Sequence, residues 1–156
     1  TATDFFGHKL AVFEHGDLAS ALSASAAIPA VFRPVRREGR ILIDGGIYNP
    51  VPFDLLEGLA DIVIAIDVVG SPSEVSGKRP NSIELMFGSS QLMMRSIIDM
   101  KLKSKRPDVY IKPPVSRFRV LDFLKIEAVL AETASVKDEL KRSIDAAVAK
   151  RQRLEA

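Results

Sequence analysis

Asp61-Ile62-Val63-Ile64-Ala65-Ile66-Asp67-Val68-Val69 is the stretch on which the fold turns. Its apolar side chains fall on both faces of a period-two strand, with no alternation toward water. Such a strand belongs inside a parallel sheet that helices cover on both sides. Downstream, Gly70–Pro80 is a loop rich in Ser, Gly and Pro. Asn81–Leu102 then reads as a long helix, with Ile83, Met86, Phe87, Met94, Ile97 and Ile98 on one broad face. Asp108–Ile111 is a short strand closed by Pro113-Pro114. From about Asp122 to Arg151 the spacing is helical, with a break expected at Thr133–Ser135.

Upstream, Lys9–Phe13 is a short apolar strand. Leu18–Ala27 has helical spacing at Leu18, Ala21, Leu22 and Ser25, with Asp17 as N-cap and Pro29 ending the helix at Ile28. Val31–Val35 and Arg40–Ile43 flank Arg36-Arg37-Glu38-Gly39, which predicts a hairpin. Pro34 puts its first arm at a sheet edge or makes it irregular. Asn49-Pro50-Val51-Pro52 is a stiff connector, and Phe53–Leu59 a short helix. Strands and helices alternate over the middle and end, which favours a layered α/β domain.

The bulk numbers narrow the function classes. A length of 156 residues fits one domain or a large part of one. A net charge of +2 is too weak a field to argue for nucleic acid. The absence of cysteine excludes disulfides and thiol catalysis and is compatible with a reducing, cytoplasmic setting. His8 and His15 are the two histidines, and neither has a ligand spacing around it. No apolar run approaches the roughly 18–20 residues that a membrane-spanning helix needs. The opening Thr1-Ala2-Thr3-Asp4 is neither a signal peptide nor a start methionine, and the chain reads as beginning inside a longer protein.

Chemistry concentrates at Ile41-Leu42-Ile43-Asp44-Gly45-Gly46. An apolar strand carries a lone acid to its end, and two glycines let the backbone turn sharply. A carboxylate held there suits general-base work. A turn residue that caps the glycines through its side chain is the simpler reading of the pattern alone. Asp4 and Asp67 read as structural acids in need of hydrogen-bond partners. Ser23 and Ser25 read as small helix residues, since neither a base nor an elbow accompanies them. The Met-rich face of Asn81–Leu102 suits either packing on a sheet or an acyl-chain channel. Arg33, Arg36, Arg37 and Arg40 suit a solvated hairpin or anionic head groups.

Several of these stretches, in order, resemble the C-terminal half of a patatin-like phospholipase. Ala2-Thr3-Asp4 resembles that family's Ala-Thr-Asp strand, and Ala24-Ser25-Ala26-Ala27-Ile28-Pro29 its Ala-Ser-x-Ala-Ile-Pro segment. Asp44-Gly45-Gly46 is similar to its Asp-Gly-Gly/Ala motif, with Asn49 and Pro52 following as in Asn-x-x-Pro. Ala60–Asp67 resembles the next core strand, and Asp108–Pro113 with Leu121-Asp122-Phe123 the tail of bacterial members. The likeness covers about residues 1–130, and 131–156 add a C-terminal helix and basic tail.

The resemblance implies a three-layer α/β sandwich with a mostly parallel central sheet, of which 1–156 would be the C-terminal portion. It implies a serine acyl-ester hydrolase acting on lipids through a Ser–Asp dyad, with Asp44 as proton acceptor and Gly45 and Gly46 as motif support. It implies no metal and no organic cofactor. It implies a lipid or ester substrate and peripheral contact with a membrane. The family's Gly-x-Ser-x-Gly elbow and Gly-rich oxyanion loop are both absent from these 156 residues. The nucleophile is therefore expected in a missing N-terminal half, and this chain alone is expected to be inactive. A non-catalytic member that binds lipid or protein is the alternative.

Overall fold

The computed structural model describes residues 1–72, 79–118, 122 and 124–155. They fall into two units, Thr1–Pro52 and Phe53–Ala156. The readings on residues 73–78, on Leu121 and on Phe123 lie outside the described residues.

The first unit is a four-stranded sheet with one helix. Its strands are β1 (Ala2–Asp4), β2 (Lys9–Ala11), β3 (Val35–Arg37) and β4 (Arg40–Asp44), in the order β2-β1-β4-β3. Every pairing in it is antiparallel. Two of the connections are hairpins of two and four residues, too short for anything else. The expected mostly parallel sheet is thus corrected here. The hairpin before Asp44 turns at Glu38-Gly39 alone, both with positive φ (52° and 75°), the geometry that matches strand twist. Arg36 and Arg37 lie in the ladder instead of the turn, and the first arm starts only at Val35, because Pro34 has no N–H to give.

Helix α1 (Leu18–Ser25) is capped by the Asp17 carboxylate, which accepts from the Ser20 N–H at 2.7 Å. Such a cap contributes about 1 kcal/mol. The core beneath it is Ala2, Ala11, Ala24 and Leu42, with Phe13 and Val35 packed around it. Leu18 and Leu22, two of the residues at helical spacing, are exposed, and Ala24 is the buried residue of the helix. A small side chain there lets the helix lie close to the sheet.

The second unit is built on a β-α-β element. Strand β5 (Ile64–Ile66) pairs in parallel with β6 (Val109–Ile111), joined through α2 (Ser82–Ser104). A 3-10 turn, Phe53–Leu56, opens the unit. Helices α3 (Ile126–Thr133) and α4 (Val136–Glu155) close it, parted at Ala134-Ser135 as the spacing predicts. Asn81 caps α2 through both Ile83 and Glu84 N–H groups, and the Glu84 carboxylate reaches back to the Asn81 N–H. Lys101 and Lys103 sit at its other end, where the macrodipole favours cations.

Ala65, Ile98, Val109 and Ile111 are buried. The strand expected over Asp61–Val69 is only three residues of ladder, and Ile64 and Ile66 are 38% and 47% exposed. Among the described residues β5 has one partner strand, which leaves its other edge open. The chain is an α/β protein, with parallel pairing confined, among the described residues, to β5 and β6.

Candidate functional site

Asp44 is the last residue of β4 and is half-buried. The backbone fixes it on several sides. Ala2 of β1 stands opposite it in the ladder. Its N–H donates to the Ala27 carbonyl at 3.0 Å, just past α1. Its carbonyl accepts from the buried Thr3 hydroxyl at 2.8 Å. The stretches Ala2-Thr3-Asp4, Ala24–Pro29 and Asp44-Gly45-Gly46, separate in sequence, therefore meet at one strand end.

The side chain has its own fixed contact. Asp44 Oδ1 accepts from the Gly46 N–H at 2.7 Å, as the chain enters the 3-10 turn Gly45–Ile47. This is the capping geometry that the turn reading of the sequence foresees. It uses one oxygen. Among the described residues no hydrogen bond is made to Oδ2. Burial pushes the Asp44 carboxyl above the usual aspartate value of 3.8, and the Gly46 N–H pulls the other way. A raised carboxyl is a stronger base.

Gly45 is required by space. A Cβ on it would stand 2.7 Å from both the Thr1 carbonyl oxygen and the Thr1 hydroxyl. Any side chain there pushes β1 away from the strand end. Gly45 is buried, and its carbonyl accepts from Tyr48 and Asn49 N–H groups, which closes the turn after Asp44.

The other singled-out residues are placed elsewhere. Ser23 is exposed and Ser25 half-buried on α1. His8 and His15 are exposed. Asp4 is buried and accepts from the Gly7 N–H at 2.9 Å. Met86, Met93 and Met100 recur every seven residues along α2, and all three are exposed. Arg37 and Arg40 stack over the Phe13 ring, at 4.4 Å and 5.8 Å from its centroid, and both pair with Glu38. Those two pairs hold the Glu38 carboxyl below its usual range, the Arg40 hydrogen bond most of all.

In the second unit, Asp67 is fully buried and finds the partners it needs. Its Oδ1 accepts from the Val69 N–H at 2.9 Å, and its Oδ2 from Arg95 at 3.0 Å and from the Tyr110 hydroxyl at 2.6 Å. Lys112 stands 3.9 Å away, and Arg95 also holds Asp99. Burial first, and then the Asp67 carboxylate, push the Tyr110 phenol up to about 12. Sequence reasoning had no signal for Arg95 or Tyr110, which lie 28 and 43 residues away. A cleft of about 690 Å³ also belongs to this unit, lined by Phe53, Asp54, Glu57, Lys101, Lys105 and Arg151 among others. Ion pairs span it: Lys101 with Asp54, Lys105 with Glu57, and Arg151 with Asp61.

Among the described residues no group of three or more His, Cys, Asp or Glu side chains is arranged to hold a metal ion. No described helix is long and apolar enough to cross a membrane.

Comparison with known proteins places the likeness where these contacts converge. Residues 2–57 match the family model of patatin-like phospholipase. An uncharacterized NTE family protein of Mycobacterium tuberculosis is 44% identical over 71 residues, 45% of this chain and 20% of that protein. A patatin-like phospholipase domain-containing protein of Caenorhabditis elegans is 26% identical over 155 residues, which covers 83% of this chain and 11% of its own length. Patatin-like phospholipase domain-containing protein 7 of Mus musculus is 28% identical over 153 residues, 81% of this chain and again 11% of the relative. The chain thus spans a fifth or less of the length of these relatives. Residues 2–57, which hold Asp44 and the contacts that fix it, are thus similar to the patatin-like phospholipase family.

Proposed function

We propose that this chain carries the base of a lipid acyl hydrolase, and that Asp44 is that base. One observation supports the reading above the rest. Asp44 is held by Ala27, Thr3 and Gly46 inside the family-matched segment, and its second carboxylate oxygen has no partner among the described residues.

The nucleophile in this reading is a serine from outside the chain, since no Gly-x-Ser-x-Gly occurs in it. The serine hydroxyl gives its proton to Asp44 Oδ2 while its Oγ attacks the ester carbonyl carbon. The tetrahedral species collapses, the C–O bond to the alcohol breaks, and the proton on Asp44 passes to the departing alkoxide. A water molecule then gives a proton to Asp44 and attacks the acyl-enzyme carbonyl carbon, the bond to the serine Oγ breaks, and the proton passes from Asp44 to Oγ as the acid leaves. Gly46 keeps one carboxylate oxygen occupied throughout, so the other is the one presented. The two units would then be parts of one hydrolase domain, whose sheet a further segment completes into a three-layer sandwich.

Supplying a serine-bearing segment, fused or as a second chain, tests this with a nitrophenyl ester. Turnover is expected only in the combined protein, and Asp44→Asn is expected to abolish it with the fold kept. Turnover by the 156-residue chain alone, or near-normal rates with Asp44→Asn, would remove Asp44 from the mechanism. The lack of an elbow in the chain supports a second reading, a non-catalytic lipid- or protein-binding member. It predicts lipid binding without ester cleavage in the combined protein.

A further inference from the structure

We infer that the Phe5-Phe6 turn and the basic hairpin end beside it form a docking tip for the surface of an anionic phospholipid bilayer. The inference is independent of the role of Asp44.

The register puts the two features together. Asp4 stands opposite both Lys9 and Leu42, and the Phe5 N–H donates to the Ile41 carbonyl at 2.9 Å. The β1–β2 turn therefore lies at the same end of the sheet as the Glu38-Gly39 turn of β3 and β4. Asp44 stands opposite Ala2, at the other end of the ladder. Three residues of strand separate the two ends, about 10 Å.

The turn is built, not loose. The Asp4 carboxylate, itself buried, closes it by accepting from the Gly7 N–H. That fixes the backbone under two exposed phenylalanines. Phe5 is 53% exposed and Phe6 74% exposed. Their rings meet edge to face at 5.0 Å, so they stand out as one apolar wedge.

The surroundings select the partner. Lys9 and Arg36 are exposed at this end, and Arg37 and Arg40 together outweigh the single acid Glu38. Asp4 is turned inward onto Gly7, and Asp17, whose carbonyl accepts from Arg37, gives its carboxylate to the Ser20 N–H. An apolar wedge ringed by cations matches the boundary between acyl chains and anionic head groups. A protein pocket that took the wedge would need acids around its rim, which makes it the less general partner.

The chain lacks tryptophan, so Phe6→Trp supplies a single reporter at the tip. It is mixed with vesicles of phosphatidylcholine alone and of phosphatidylcholine with phosphatidylglycerol. We expect binding and a blue-shifted emission with the anionic vesicles, weakened as salt rises. The pair Phe5→Ser/Phe6→Ser, in the chain without the reporter, is expected to lower sedimentation with anionic vesicles at least about tenfold. Arg36→Glu is expected to lower it more than the roughly fivefold expected for loss of one cation. Circular dichroism checks that the sheet survives each change. Three results overturn the inference: no binding to anionic vesicles, unchanged binding by the double serine variant, or bound chain whose reporter still emits as if in water. A blue shift that appears without vesicles and grows with protein concentration assigns the tip to a protein partner and overturns it too.

Discussion

Replacing Gly45 with Ala separates what space demands from what backbone freedom demands. The added Cβ would stand 2.7 Å from the Thr1 carbonyl oxygen, about 0.7 Å inside ordinary contact. The carbonyl cannot yield easily, because its peptide runs into Ala2. Ala2 is fully buried and paired on one side with Ala11 and on the other with Asp44. Relief must come from moving β1, or the strand end that carries Asp44. Overpacking of this kind costs about 1–3 kcal/mol. Gly39→Ala is the control. Its Cβ would meet nothing within 4 Å, but its φ of 75° strains any L side chain, at a cost of about 1–2 kcal/mol. Urea unfolding followed by circular dichroism measures both changes. In the combined protein, ester turnover reads them as well. A shift of the Asp44 backbone by a large part of an ångström should lower the rate by something near a hundredfold, whereas Gly39→Ala should leave it alone. The reasoning is refuted if Gly45→Ala leaves both the unfolding midpoint and turnover unchanged, for then β1 does not hold the strand end in place.

Removing the Asp67 carboxylate as Asp67→Ala should cost about 2–4 kcal/mol by urea unfolding. That is less than a fully buried pair would lose, because Arg95 is a third exposed and keeps Asp99; a loss under 1 kcal/mol would show the cluster to be dispensable. Tyr110 holds its proton to about 12 in the folded chain against an ordinary 10, so the folded state binds more protons between those values. Its contribution to stability is then complete below pH 10 and lost as pH rises toward 12, and a phenolate absorbance midpoint at 10 would contradict this. The Asp44 carboxyl is raised, so its burial weakens the fold only once pH climbs above the ordinary 3.8. Asp44→Asn, which can still accept from Gly46, should match or exceed the parent in stability at neutral pH and lose that advantage in acid; a clear loss at neutral pH would make the charge structural. Asn81→Ala removes the acceptor for Ile83 and Glu84 N–H groups and should cost about 1 kcal/mol, read as faster amide exchange in the first turn of α2.

What the sequence discloses and withholds follows the range of each interaction. The cap at Asp17, the break within Thr133–Ser135 and the turn after Asp44 are settled within four residues, and a linear reading finds them. The direction of the sheet is not local. Val-Ile runs such as Ile62–Ile66 are compatible with a parallel interior, but the strand on each side decides it, and among the described residues β5 receives one neighbour while β1–β4 pair antiparallel. The site divides the same way. Asp44 and its glycines are readable because a strand end followed by paired glycine is a local pattern. Thr3 and Ala27 are not, because a hydroxyl 41 residues away and a carbonyl just beyond a helix carry no mark of what they will hold. In the reading proposed above, these two make Asp44 more than a turn residue. A capping aspartate needs only the Gly46 N–H. Nothing about capping requires that its own carbonyl and N–H also be tied to β1 and to the end of α1. In the proposed reading, immobilising the whole residue serves a side chain whose remaining oxygen must be aimed at a serine hydroxyl, and the constraint suits a base.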